Sequence, residues 1–186
     1  AWAEQIRILK SVLADCQGKV YFEYAIPRMG KRIDVVLVIA GVVFVLEFKV
    51  NATGYDAYAF DQVWDYALDL KNFHETSHHC TVAPILIATE ADYSQTVPAT
   101  TPQNDNLLEP IQCNRTGLKE AIDSVLLFAD TERIDPQYWE NGRYCPTPTI
   151  IEAALALYRG HSVTELSRGD ADGKKLSTTT DAISEV

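Results

Sequence analysis

Asp34, Glu47 and Lys49 are three ionisable residues set inside the most apolar part of the sequence. Side chains alternate along a strand, so Glu47 and Lys49 share a face, two residues apart. Between two β-prone runs, Ile33 to Ile39 and Val42 to Val50, stands Ala40-Gly41, which reads as a two-residue hairpin turn. In that register opposite residue numbers sum to 81, as those of Asp34 and Glu47 do. The two carboxylates would then face each other, roughly 5 Å apart at Cβ. On a sheet covered on both sides they would repel and lose hydration, each at a cost on the order of several kcal/mol. A divalent cation removes the conflict, because Mg²⁺ and Mn²⁺ prefer carboxylate, carbonyl and water oxygens. Lys49 adds a positive charge where a phosphate or a nucleophilic water would sit. Two other arrangements fit the same residues. A turn moved by one residue sets Glu47 opposite Ile33, and the three charges could form a salt-bridge cluster at a strand end with no chemistry. The favoured register also sets Arg32 against Lys49, tolerable where the strand ends splay or an anion lies between.

These strands need a helix beside them. Residues 57–73 carry Phe60, Val63, Ala67 and Leu70 in one stripe, widened by Trp64 and Leu68. Gln62 and Tyr66 lie four apart, one above the other, and flank that stripe. They could reach a phosphate or a water beside the carboxylates, or simply pack at the helix edge. Arg28, Lys31 and Arg32 cluster at the turn before Asp34 and form the best local basic patch for a nucleic-acid backbone, or a solvated turn.

The remaining elements frame this centre. Residues 2–16 read as an amphipathic helix closed by Gly18, Tyr21 to Ile26 as a short strand, and Val82 to Ala88 as a buried strand. A polar, Pro-containing loop follows over residues 89–110, then a short strand near Ile111 and a helix over Leu118 to Phe128. Thr147, Pro148, Thr149 and Glu152 open a helix through Tyr158, with Gly160 at its end. From His161 onward the chain is polar and reads as a linker.

Composition narrows the function. The 186 residues carry 16 Lys plus Arg against 26 Asp plus Glu, a net charge of −10. That disfavours non-specific duplex binding through a basic surface, but a metal-loaded acidic site can still receive phosphate. The longest apolar run, Val35 to Leu46, is 12 residues, too short to span a bilayer. Cys16, Cys80, Cys113 and Cys145 form no CxxC pair and read as isolated reduced thiols of a cytoplasmic protein. His74, His78, His79 and Cys80 have spacing that zinc could use, at a helix end where histidine is also favoured by the dipole. Tyr138, Trp139 and Tyr144 could stack bases or pack in the core. The start at Ala1 and the polar end suggest a domain of a longer protein.

The strings RIDVVL, FVLEFKV and DQVWDYALDL resemble the PD-(D/E)xK nuclease superfamily, most closely its branch with a Gln-x-x-x-Tyr motif. The resemblance covers about residues 3–90. It implies an α/β, restriction-endonuclease-like αβββαβ core with a mixed central sheet flanked by helices. It also implies metal-assisted phosphodiester hydrolysis, with Asp34 and Glu47 holding Mg²⁺ or Mn²⁺ and Lys49 orienting the water or acting near it as a base. Gln62 and Tyr66 would assist at the phosphate. Glu4 on the first helix would be a further acid, as in some members, unless it is an exposed first-turn residue. Ile33 stands where the eponymous proline would be. Some relatives hold an iron–sulfur cluster on four cysteines, three of them close together, a spacing that Cys113 and Cys145 do not share. The whole chain, including PTPTIIEAALALYRG, also looks like the N-terminal region of bacterial helicase-like proteins that continue into a P-loop ATPase. The expected organisation is a nuclease-like domain over 1–160 and a linker over 161–186 toward that ATPase. The partner is nucleic acid, DNA favoured over RNA, with no membrane. The alternative is an inactive module of the same fold that binds nucleic acid or a partner for the motor.

Overall fold

The computed structural model describes residues 2–26, 30–92, 97–129 and 132–145. Residues 1–143 form one compact unit. Of the second unit, 144–186, only Tyr144 and Cys145 are described, so the expected helix through Tyr158, the boundary at 160 and the linker lie outside the described residues.

The chain runs α1 (Trp2–Val12), β1 (Gly18–Ile26), β2 (Lys31–Ile39), β3 (Val42–Lys49), α2 (Ala57–Phe73), β4 (Thr81–Ala88), β5 (Ile111–Cys113), α3 (Leu118–Phe128) and α4 (Pro136–Glu140). The five strands lie in chain order, β1-β2-β3-β4-β5. β1, β2 and β3 pair antiparallel, and β4 and β5 continue parallel to β3. This is the mixed α/β sheet, flanked by helices in αβββαβ order, that the sequence led us to expect. No helix among the described residues is long and apolar enough to cross a membrane.

Two local features set the geometry of the centre. Ala40 and Gly41 both have positive φ, 50° and 89°, the signature of a two-residue turn whose twist matches the strands. Gly18, where β1 begins, lies so close to β2 that a Cβ there would collide with the Val38 carbonyl oxygen. β1 starts at Gly18, paired with Ile39, three residues before the expected Tyr21. α1 ends earlier than expected, at Val12. Its Leu13 N–H still reaches Leu9 O, but Cys16 N–H turns to Leu13 O at 3.0 Å, a tightened closing turn.

Alternation divides the core into two layers. Val35, Leu37, Ile39, Phe44, Leu46, Phe48, Ile85 and Ile87 form one apolar cluster with Ile8, Leu9 and Val12 of α1 and Ile122 and Val125 of α3. The intervening positions, including Val43, Val45 and Leu86, are also fully buried. They face the layer of α2, which packs on β3 and β4 through Val63, Ala67 and Leu70. Asp34, Glu47 and Lys49 have the parity of this α2 face.

Candidate active site

The β2–β3 ladder pairs Val35 with Leu46 through Ile39 with Val42, the register that sums to 81. It stops one pair short of Asp34 and Glu47. Instead of continuing the ladder, Asp34 Oδ2 accepts the Phe48 N–H at 2.9 Å. The carboxylate takes the place of a backbone acceptor, so the strands part where two like charges would otherwise be locked together. Arg32 does not face Lys49 either. Its guanidinium lies 3.6 Å from Glu23 Oε2 on β1.

On the parted end, four side chains form a hydrogen-bonded chain. Lys49 Nζ donates to Glu47 Oε1 at 2.8 Å and to Gln62 Oε1 at 3.3 Å. Gln62 Nε2 donates to the Tyr66 hydroxyl at 2.8 Å. Tyr66 lies on the buried face of α2 itself rather than at its edge, and Phe60 is only half-buried. Lys49 is also fixed through its backbone. Both the Ala52 and Thr89 N–H groups donate to its carbonyl at 3.2 Å, and the Thr89 hydroxyl accepts the N–H of Asn51, whose φ is 63°. β3 thus ends in a turn that clamps Lys49 to the end of β4.

Glu47 is 4% exposed, and its Oε2 is buried with no hydrogen-bond partner. Such an atom is costly in a dry site. Burial raises the pKa of Glu47 above its ordinary range; the Lys49 ammonium opposes this, while Asp34 and Glu23 add to it. Burial also raises Asp34, against the Phe48 N–H and Lys49, with Glu23 again adding. In both cases the folded protein holds a proton at a pH where the unfolded chain has released it. The stability gained is present below the ordinary carboxyl values, 3.8 and 4.5, and is lost as pH rises through the raised folded ones. In EDTA, the melting temperature of the wild type relative to Asp34→Asn/Glu47→Gln should fall as pH rises from about 4 to 8. A difference that stays flat with pH would mean that folding displaces neither carboxyl.

An oxygen-only donor pair with an orphaned carboxylate oxygen fits a hard divalent ion, since Mg²⁺ commonly takes one or two carboxylates and keeps several waters. Asp34 and Glu47 are the residues that would hold it. Among the described residues, no three His, Cys, Asp or Glu side chains stand together as a ready-made metal cage.

The histidine and cysteine run after α2 forms no such group either. His74 is buried, with its Nδ1 2.8 Å from Ser77 Oγ and its ring 4.6 Å from that of Trp139. His78 Nε2 lies 3.2 Å from Asn72 O, and the Cys80 thiol donates to Thr76 O. The closing turn after α2 spends these groups on structure. Trp139 is fully buried and belongs to the core, whereas Tyr138 is exposed. All four cysteines are unbridged.

Of the basic turn, Arg28 lies outside the described residues. Lys31 sits 5.9 Å over the Tyr66 ring and 3.9 Å from Asp65, and Arg32 pairs with Glu23. Glu4 is taken up by Arg7 and by Arg115, at 3.7 Å from the latter. Glu23 was not singled out by sequence reasoning. The structure reveals it through the register of β1 on β2, where Phe22 pairs Val35 and Tyr24 pairs Ile33, leaving Glu23 opposite Asp34.

Comparison with known proteins adds one structural likeness. The crystal structure of a repair endonuclease from Pyrococcus abyssi is similar to this chain, with 22% sequence identity and a TM-score of 0.40. The match covers 62% of this chain and 47% of that one, so the chain spans about half the length of that protein. No family model matches the chain, and no curated protein does.

Proposed function

We propose that this chain is a metal-dependent nuclease domain that hydrolyses phosphodiester bonds of nucleic acid, DNA in preference to RNA, within a protein that continues into a helicase-like P-loop ATPase. The observation that carries the reading is the orphaned oxygen of Glu47, buried beside Asp34 and Lys49 on one sheet face. The resemblance to the Gln-x-x-x-Tyr branch of PD-(D/E)xK nucleases supports it. The link to an ATPase rests on that resemblance alone.

Bound Mg²⁺ or Mn²⁺ supplies charge neutralisation at the phosphate and acidifies a water. The protein's part is positional. Asp34 and Glu47 hold the cation at the parted end of the hairpin. Lys49, clamped by the turn to β4, presents its ammonium beside them, where it orients the attacking water and faces the developing negative charge. Gln62 keeps that ammonium aimed and Tyr66 keeps Gln62 in place. Lys31 and Arg32 flank the opening; their exposed ion pairs are weak enough to be exchanged for phosphate.

The second reading, a non-catalytic module of this fold, is favoured by the net charge of −10 and by the acids that already partner Lys31 and Arg32. Cleavage of plasmid or single-stranded DNA with Mg²⁺ or Mn²⁺ decides between them. Absence of divalent-dependent cutting on every such substrate would leave the binding module. Cation binding itself has an independent readout. Mn²⁺ at about a hundred times its Kd should stabilise the fold by about 2.7 kcal/mol, a rise in Tm of roughly 5–10 °C. Asp34→Asn should abolish the rise; an unshifted wild type would mean no cation site.

A further inference from the structure

We propose that Glu23 is a third, exchangeable carboxylate of the cation site, held by Arg32 when the cation is absent and surrendered to it when the cation binds. The inference rests on the reading of Asp34 and Glu47 as cation ligands and adds to it a residue on a different strand.

Three observations carry it. The β1–β2 register sets Glu23 directly across from Asp34, because pairing is continuous on either side, Phe22 with Val35 and Tyr24 with Ile33, and interrupted at that one position. Directly opposed residues on antiparallel strands have Cβ atoms roughly 5 Å apart. The backbone of Glu23 is in the left-handed region, φ 49°, an uncommon conformation for a glutamate in the middle of a strand. The ladder thus breaks opposite the carboxylate that itself replaces a ladder acceptor on its other side.

The second observation points to a ligand. The nearly buried Glu47 keeps one oxygen without a partner, so the centre has unspent negative charge and a vacant acceptor. The field of Glu23 reaches both Asp34 and Glu47. Three carboxylates against Lys49 and Arg32 leave the group one charge negative, before any cation arrives.

The third observation is the tether. Glu23 is about half exposed, 49%, and its bond to Arg32 is a 3.6 Å surface pair. Such pairs contribute little and exchange readily. As it stands, Glu23 does not complete a metal cage with the other two acids; its carboxylate lies against Arg32. When a cation draws Glu23 inward, directly or through one of the cation's waters, Arg32 is released at the mouth of the site. A guanidinium freed there is suited to a phosphate oxygen. Cation and nucleic-acid backbone would then be taken up together.

A double-mutant cycle on Mn²⁺ affinity tests this, measured by calorimetry or by the electron paramagnetic resonance signal of free Mn²⁺, without nucleic acid. Glu23→Gln should weaken binding about 5- to 10-fold. Arg32→Ala should tighten it about 3-fold, because Glu23 no longer has to leave its partner. In the Glu23→Gln background, Arg32→Ala should change affinity little, because Arg32 acts through Glu23. Unchanged affinity in Glu23→Gln would overturn the proposal. So would an equal tightening by Arg32→Ala in both backgrounds, the mark of plain charge repulsion. Asp34→Asn is the control for the underlying site. If wild type binds and Asp34→Asn does not, a silent Glu23→Gln rejects the exchange alone; if wild type binds no Mn²⁺, the cation site and the exchange fall together.

Discussion

Asp34→Asn and Lys49→Ala should each lower Mn²⁺-dependent cleavage of plasmid or single-stranded DNA by on the order of 10³-fold, with the fold intact. The expectation for Asp34 follows from its position. It is one of two carboxylates that would hold the cation, and asparagine keeps the size of the side chain and an oxygen for the Phe48 N–H while removing the charge. The expectation for Lys49 follows from its being the cation beside Glu47, aimed by Gln62 and fixed through its backbone by Ala52 and Thr89. Alanine leaves that backbone clamp untouched, so a loss of cleavage with unchanged Tm would belong to the ammonium. Cleavage within tenfold of wild type in either variant would remove that residue from the mechanism. The two variants should differ in cation binding. Asp34→Asn loses it, whereas Lys49→Ala keeps or strengthens it, because the ammonium that competes for Glu47 is gone.

Trp139→Ala should destabilise the protein by about 3–5 kcal/mol, the range for truncating a large buried aromatic, and lower Tm by roughly 10 °C. Trp139 is fully buried, packs at a tilt against the His74 ring and lies 5.3 Å and 5.6 Å from the rings of Tyr21 and Tyr24 on β1. Its indole N–H donates to Ser77 Oγ at 2.8 Å. The same helix is fastened to β1 by Lys19, which donates to Gln137 and Glu140, and by the Tyr21 hydroxyl, which donates to the Pro136 carbonyl. One indole therefore joins α4, the edge strand that carries Glu23 and the turn that closes α2. Around it the His74 ring is held well below its usual pKa, at about 4, chiefly by burial. It enters the cluster neutral and packs as an aromatic. A Tm for Trp139→Ala within 2–3 °C of wild type, roughly 1 kcal/mol, would show that α4 is held by its surface bonds instead.

The hairpin and the α2 face were legible in the chain for physical reasons that can be named. Ala40-Gly41 is the natural turn between two long β-prone runs, because Gly41 takes positive φ freely, and the ladder adopts the favoured one of the registers the sequence left open. Once the register is set, the parity of Asp34, Glu47 and Lys49 follows, since strand side chains alternate without exception over so short a span. The helix over 57–73 was equally plain, because its apolar spacing has a single period. Glu23 was not legible. Its strand lies at the sheet edge, where apolar Val20 and Phe22 stay exposed, and nothing local marks a glutamate there as facing another strand. Nor could the spacing of His74, His78 and Cys80 be told from a ligand set, because i,i+4 pairs serve equally well for closing a helix.

The amino-acid order by itself determined which charges lie in the apolar strands, on which face they stand and which helix covers them, because these depend on alternation and helical period over a few residues. Tertiary structure decided what those charges do to one another. Asp34 turns to a backbone N–H on the next strand, Lys49 joins Glu47 to a helix thirteen residues on, and Glu23 meets Arg32 across a ladder. Each of these choices weighs desolvation against partners brought from elsewhere in the chain, and that balance exists only once the sheet and α2 have excluded the water.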